Sequence, residues 1–148
     1  MENYMKLEFS ADSKNELFAR NVISSFCLSI NPTLSELCDI KTAVSEAVTN
    51  SIVHAYGGKG GKIIIEASIK DEILHITITD FGKGIDDIEK ALEPFYTTLA
   101  DEERSGMGFT IMQTFMNDFS LHSVVGEGTV VDMKKYFNVK EKNIKQDA

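Results

Sequence analysis

Residues 62–80 read KIIIEASIKDEILHITITD, and their apolar side chains alternate with polar ones along most of this stretch. Alternation with a period of two predicts strands at 62–69 and 72–80, joined by a tight turn at residues 70–71. Successive side chains of a strand point to opposite faces, and only one parity of each strand is strongly apolar. The pair therefore predicts a sheet that is covered by helices on one face only.

Three helices and three further strands are predicted around this hairpin. The first two helices begin at candidate capping boxes, Ser13-x-x-Glu16 and Thr33-x-x-Glu36. The third helix is predicted from Gly106 to about Asp118, and the remaining strands at 5–10, 121–125 and 129–136. Helices with single apolar stripes over a one-sided sheet indicate an α/β two-layer sandwich.

The composition predicts a single domain at 1–137, followed by a charged, frayed tail at 138–148. Fifteen basic and 23 acidic residues give a net charge of −8, which disfavours nucleic acid as a direct partner. No apolar run approaches the ~20 residues of a membrane helix, and the first residues lack a signal-peptide core. We therefore expect a cytoplasmic protein with no membrane partner.

Asp80 ends the predicted second strand of the hairpin on its apolar side. Apolar residues occupy every second position from Leu74 onward, so the carboxylate points toward the layer that buries apolar groups. A buried charge needs hydrogen-bond donors. The motif DFGKG at 80–84 adds Gly82 and Gly84, which permit a close backbone approach or a positive φ. A strand-end aspartate that caps a glycine turn is the simpler alternative.

Glu46 and Asn50 form a second candidate pair in the predicted second helix. Their spacing places the two side chains about 40° apart around the helix axis, one turn above the other. An acid beside an amide oxygen can hold a hard cation and activate a hydroxyl group or a water. An ordinary solvated helix face is the alternative explanation.

Glycines also precede the predicted third helix, in the motif RSGMGF at 104–109. The N–H groups at a helix start favour an anion, and Arg104 can reach an outer phosphate. The simpler explanation is that Ser105 is a helix N-cap. The motif lacks the Walker lysine and a preceding strand, so neither a P-loop nor a Rossmann fingerprint fits.

The fourth motif is Gly126-Glu127-Gly128-Thr129. Its two glycines predict a hairpin turn, whatever else the motif does. Thr129 shares the strand parity of Val131 and Met133, so we expect its side chain to reach the interior near Asp80.

The order of these four motifs resembles the boxes of the GHKL (Bergerat-fold) ATPase and kinase superfamily, over residues 46–129. The resemblance implies a mixed, mostly antiparallel sheet with helices on one face, and ATP or ADP as cofactor. It also implies that Asp80 accepts a hydrogen bond from the adenine amino group, with Thr129 assisting, and that Asn50 binds Mg²⁺. The implied nucleotide-contact positions further include Gly82, Gly84, Arg104, Ser105, Gly106 and Gly108.

Within this superfamily the chain is similar to the bacterial anti-sigma factor serine kinases, and most to their sporulation branch. The similarity is carried by LEFS at 7–10, SEAVTN at 45–50 and ERSGMGFTIM at 103–112, and it extends to about Tyr136. It implies a homodimer that sequesters a sigma factor and phosphorylates a serine of an anti-anti-sigma protein. Glu46 is then the candidate general base for the serine hydroxyl.

Arg20 is the candidate partner contact. It lies at the border of the first helix's apolar stripe, where a snorkelling side chain is the simpler explanation. In the resembling family an arginine at this place contacts both protein partners.

Two other functions stay open: a stress-response anti-sigma kinase with another sigma client, and a non-catalytic ATP-dependent binding domain. Residues 85–104 are predicted to form a nucleotide-sensing lid.

Overall fold

The computed structural model describes residues 2–93 and 108–137, which contain one five-stranded sheet. The strand order is β1-β2-β3-β5-β4, and all four pairings are antiparallel, where the resemblance implied a mixed sheet. The strands are β1 (Asn3–Ser10), β2 (Lys62–Lys70), β3 (Ile73–Asp80), β4 (Asp118–Val124) and β5 (Gly128–Tyr136).

Four α-helices accompany the sheet in the described residues. They are α1 (Lys14–Phe26), α2 (Leu34–Asn50), α3 (Ile88–Ala91) and α4 (Gly108–Phe115). A 3₁₀ turn, Cys27–Ile30, extends α1, and a π-helical turn, Ser51–Ala55, extends α2. The short α3 lies inside the segment 85–104 that the sequence predicted as a lid.

Of the two predicted capping boxes, the structure confirms the second. The Thr33 hydroxyl accepts from the Glu36 amide at 3.1 Å, and the Glu36 carboxylate accepts from the Thr33 amide at 2.8 Å. The prediction for Ser13 was wrong, because its side chain makes no capping bond. Ser13 already has helical φ and ψ, whereas an N-cap residue is normally extended. The Asp12 carboxylate accepts from the Lys14 amide instead, at 2.9 Å.

The alternation predicted for the central hairpin is confirmed by burial. Every second residue of β2 and β3 is buried, and these side chains join those of α1, α2 and α4 in one apolar core. The opposite parity stays partly exposed, so the helices cover one face of the sheet, as the two-layer α/β class requires. In residues 2–93 and 108–137, no helix is both long and apolar enough to cross a membrane.

Two predicted segments lie largely or wholly outside the described residues. The predicted lid at 85–104 is described only as far as residue 93, and the tail at 138–148 is not described. The start of the third helix at residues 106–107 also falls outside, so α4 is described from Gly108.

Candidate functional site

A cavity of about 320 Å³ opens at one end of the helical layer. Its wall combines the end of β3, the last turns of α2, the loop after β3, the first residues of α4 and the start of β5. The polar lining includes Asp80, Asn50 and Thr129, which the sequence placed in three separate motifs. The fold therefore brings these three predicted residues together.

Asp80 is the most buried charged group of this wall, with 5% of its surface exposed. One carboxylate oxygen accepts from the Ser51 hydroxyl at 2.9 Å. The other accepts from the backbone amides of Gly82, at 3.1 Å, and Thr129, at 3.2 Å. Asp80 thus caps the glycine turn, as the simpler alternative held, and also joins three segments that are distant in sequence.

Burial raises the pKa of Asp80, while the hydrogen bonds from Gly82, Ser51 and Thr129 act in the opposite direction. A carboxylate offers about four acceptor positions, and three donors occupy three of them. One acceptor position is therefore left for a group that enters the cavity. A ligand with an N–H donor at its end fits this position, because that donor would supply the fourth hydrogen bond to the buried Asp80 carboxylate.

At the cavity, α2 continues into the π-helical turn Ser51–Ala55. Such turns are rare and occur often at functional sites. Asn50, Ser51 and His54 all line the same cavity, since their spacing places them on one face of the helix. Glu46 is half-buried one turn before Asn50 and is outside the cavity lining.

Gly82 and Gly84 are needed where the loop after β3 passes close to its neighbours. A Cβ atom on Gly82 would lie 2.4 Å from the carbonyl oxygen of Ala55, at the end of the π-helical turn. Gly84 has a φ of +77°, and a Cβ atom there would lie 2.4 Å from the carbonyl oxygen of Val124. Both glycines hold the loop against the helix and the β4–β5 hairpin; Gly84 also lines the cavity.

Two serines of the site were missed by the sequence analysis. Ser51 follows Ala47 and Val48 on the apolar side of the helix, and a buried hydroxyl at such a position needs a hydrogen-bond partner, which is a signal that the sequence does contain. Ser123 gave no comparable signal. Its hydroxyl contacts Thr129 at 2.8 Å, and this pairing depends on how β4 and β5 align.

The remaining predicted positions have three different outcomes. Gly108 lines the cavity at the start of α4, as predicted, whereas Arg104, Ser105 and Gly106 lie outside the described residues. Arg20 lies on α1 and is not among the residues that line the cavity. It is half-buried rather than isolated on the surface, and its Nε atom lies 3.8 Å from the carboxylate of Glu16.

Comparison with known proteins gives relatives over nearly the whole chain. A family model described as a histidine kinase-like ATPase domain matches residues 9–135. The anti-sigma F factor of Caldanaerobacter subterraneus subsp. tengcongensis is 54% identical over 134 residues, which cover 90% of this chain and 94% of that protein. The anti-sigma F factor of Clostridium acetobutylicum is 53% identical over 137 residues, which cover 93% of this chain and 96% of that protein.

Solved structures share the fold at lower identity. The RsbU and RsbW domains of a Mycobacterium tuberculosis protein align with a TM-score of 0.66 and 17% identity, covering 90% of this chain and 32% of that one. The histidine kinase domain of a blue-light activated kinase from Erythrobacter litoralis aligns with a TM-score of 0.55 and 21% identity. The alignment covers 75% of this chain and 49% of that one. These structural matches show the fold, while the family model and the sequence relatives show that the chain belongs to the anti-sigma F factor family, within the histidine kinase-like ATPase domains.

Proposed function

We propose that this chain is an ATP-dependent anti-sigma factor that inhibits a sporulation sigma factor of the sigma F type. We further propose that it is a serine kinase, which phosphorylates and so inactivates an anti-anti-sigma protein. Identity of 54% and 53% to anti-sigma F factors over at least nine-tenths of the chain supports the first part. The histidine kinase-like ATPase domain supports nucleotide-dependent chemistry.

The observation that carries this proposal is the buried carboxylate of Asp80, with one acceptor position left toward a cavity of about 320 Å³. The adenine amino group is a donor that suits this position. Apolar residues of the wall, among them Ile85 and Val131, offer surface to the flat faces of the base. Thr129 presents its hydroxyl beside Asp80 in the same wall.

Other residues of the cavity lining suit the phosphates. Asn50 and Gly108 line the cavity, so an amide oxygen and the backbone of a helix start are both available there. The residues present fit Mg²⁺, which is usually bound by one or two protein oxygens together with the phosphates and waters. Asn50 would hold the ion, which when bound supplies positive charge against the phosphate oxygens.

In the proposed transfer, the serine oxygen of the partner protein forms a bond to the γ-phosphorus while the bond to the ADP oxygen breaks. Glu46 takes the serine proton. Because Glu46 lies outside the cavity lining, the serine would approach from the side of α2 where Glu46 lies, rather than through the base pocket.

Glu46→Gln tests the catalytic part of the proposal. We expect it to reduce transfer of the γ-phosphate to the anti-anti-sigma protein by at least ~100-fold, because the amide cannot accept the proton. ATP affinity should stay within about twofold of the unsubstituted chain. Glu8→Gln is the matched control, since Glu8 is exposed on the edge strand β1 and pairs with Lys62. Equal loss of affinity and transfer would show that Glu46 acts in nucleotide binding instead.

Arg20→Glu tests the partner contact. A homodimer that presents two copies of Arg20 to the sigma factor is part of the proposal, and arginine is enriched at binding hot spots. We expect sigma binding to weaken by at least about tenfold and ATP binding to be unchanged, because Arg20 lies outside the cavity. Lys14→Glu makes the same charge change on α1 as a control. An intact sigma complex with Arg20→Glu would remove Arg20 from the interface.

A further inference from the structure

Tyr56 follows the π-helical turn after α2, and its hydroxyl lies between the ends of β2 and β3. It donates to the carbonyl oxygen of Lys62 at 2.5 Å and accepts from the amide of Phe81 at 2.7 Å. The pairing of the two strands stops one position earlier, at Ile63 and Asp80. Lys62 and Phe81 would form the next pair, so the Tyr56 hydroxyl replaces a direct backbone hydrogen bond between them.

The hydroxyl of Tyr56 thereby ties the chain after β3 to the end of α2. A second hydrogen bond does the same, since the amide of Lys83 donates to the carbonyl oxygen of Ala55 at 3.0 Å. Between these two bonds, Gly82 passes so close to Ala55 that a Cβ atom on Gly82 would lie 2.4 Å from that oxygen. Residues 81–83 are therefore held against the π-helical turn at two backbone amides.

The ring of Tyr56 is held by the chain before β2. Gly61 lies against the ring, and a Cβ atom on Gly61 would be 2.3 Å from a ring carbon. The amide of Ala11 donates to the carbonyl oxygen of Gly61 at 2.7 Å, which ties Gly61 to the chain after β1. Tyr56 is not among the described residues that line the cavity, so it acts on a ligand there only through the residues that it positions.

The two segments that Tyr56 joins carry different parts of the proposed nucleotide site. The chain at the end of β3 brings Asp80 and Ile85, assigned above to the base, and the end of α2 brings Asn50, assigned to Mg²⁺ and the phosphates. Ser51 also connects the two segments, but its bond holds only the side chain of Asp80. A ligand that spans both parts gains from a fixed spacing, because its second contact then costs no further ordering of the protein.

We propose that Tyr56 is a positioning residue that sets the spacing between the base-binding and phosphate-binding parts of the cavity. This inference rests on the nucleotide binding proposed above. In Tyr56→Phe the ring remains, and the amide of Phe81 can bond directly to the carbonyl oxygen of Lys62. The variant can therefore fold, but its chain after β3 moves toward β2 and away from the end of α2.

The experiment compares the affinity for Mg-ATP, which spans both parts, with that for adenosine, which reaches only the base-binding part. Calorimetry measures the first affinity and NMR titration the second. We expect Tyr56→Phe to lower the affinity for Mg-ATP by about five- to tenfold, the range of one neutral hydrogen bond, and to leave that for adenosine within about twofold. Tyr4→Phe is the matched control and should change neither affinity, because Tyr4 is exposed on β1 and its hydroxyl bonds to Glu66.

Gly61→Ala makes the converse change, because its methyl group displaces the Tyr56 ring while the hydroxyl is kept. We expect the same selective loss for Mg-ATP, and this variant carries the test if Tyr56→Phe fails to fold. A loss for adenosine as large as that for Mg-ATP, or no loss for either ligand, would overturn the inference. Fast exchange of the Phe81 amide hydrogen in the unsubstituted chain would also overturn it, since the bond to Tyr56 should protect this amide. An unsubstituted chain that binds no Mg-ATP would instead overturn the proposed function itself.

Discussion

Asp80 shows at the scale of one residue how a side chain can serve both the fold and the site. Its carboxylate satisfies the Ser51 hydroxyl and the amides of Gly82 and Thr129, so it holds together α2, the glycine loop and β5. The same carboxylate keeps one acceptor position for a ligand. These two roles can be separated by a substitution that keeps the shape of the side chain.

Asp80→Asn should abolish adenine recognition while leaving the fold intact. The amide oxygen can accept from Gly82 and Thr129, and the amide nitrogen can donate to the Ser51 oxygen, which has free lone pairs. The group facing the ligand, however, changes from an acceptor to a donor. We expect ATP affinity to fall at least ~tenfold, the range for a hydrogen bond to a charged group, as measured by calorimetry.

Asp71→Asn is the matched control for this substitution. Asp71 lies in the β2–β3 turn with a φ of 52°, a conformation that asparagine tolerates well. Unchanged ATP affinity in Asp80→Asn would remove Asp80 from the base-binding position.

At the scale of elements, the start of α2 matters because this helix carries Asn50 and Ser51 to the cavity. Its capping box satisfies two backbone groups at the helix start, through Thr33 and Glu36. The helix ends in a π-helical turn instead of a regular one. The capped start fixes where the helix begins, and with it which residues form the last turn.

Thr33→Ala should destabilise the protein by about 1 kcal/mol, because it removes the acceptor for the Glu36 amide. The measurement is the free energy of unfolding by urea at neutral pH. Ser13→Ala makes a similar change at the other predicted capping box, where the structure shows no capping bond. We expect its effect to be within ~0.5 kcal/mol of zero. Equal losses in the two variants would contradict this assignment of the caps.

At the scale of the whole molecule, the buried Asp80 lowers the free energy of unfolding by an amount that depends on pH. Burial raises the pKa of Asp80 above its ordinary value of 3.8. A group whose pKa is raised on folding contributes stability below its unfolded pKa and loses that contribution as the pH rises through its folded pKa. In the absence of nucleotide, the ionised site thus destabilises the folded chain.

Asp80→Asn removes this titration, so its stability relative to the unsubstituted chain should change with pH. We expect the difference in urea midpoint to shift in favour of Asp80→Asn as the pH rises from about 4, and to level off above the folded pKa. Other titrating groups are common to both chains and cancel in the difference. A difference that does not vary between pH 4 and 8 would contradict a raised pKa for Asp80.

The sequence by itself determined the features that depend on neighbours along the chain. The period of two in residues 62–80 placed alternate side chains of β2 and β3 in the core, and it pointed Asp80 inward, because strand parity is a local property. The motif order also indicated the family, which the relatives confirm. The Thr33 box was visible because its bonds span only three residues.

Only the tertiary structure decided which distant groups meet. Ser51 and Thr129 are 29 and 49 residues from Asp80, and Ser123 reaches Thr129 only because β4 and β5 pair in one particular register. Strand order and register follow from the packing of the whole core, and no local pattern specifies them. The cap predicted at Ser13 failed because that residue has helical φ and ψ, and the Ser-x-x-Glu pattern does not specify this backbone conformation.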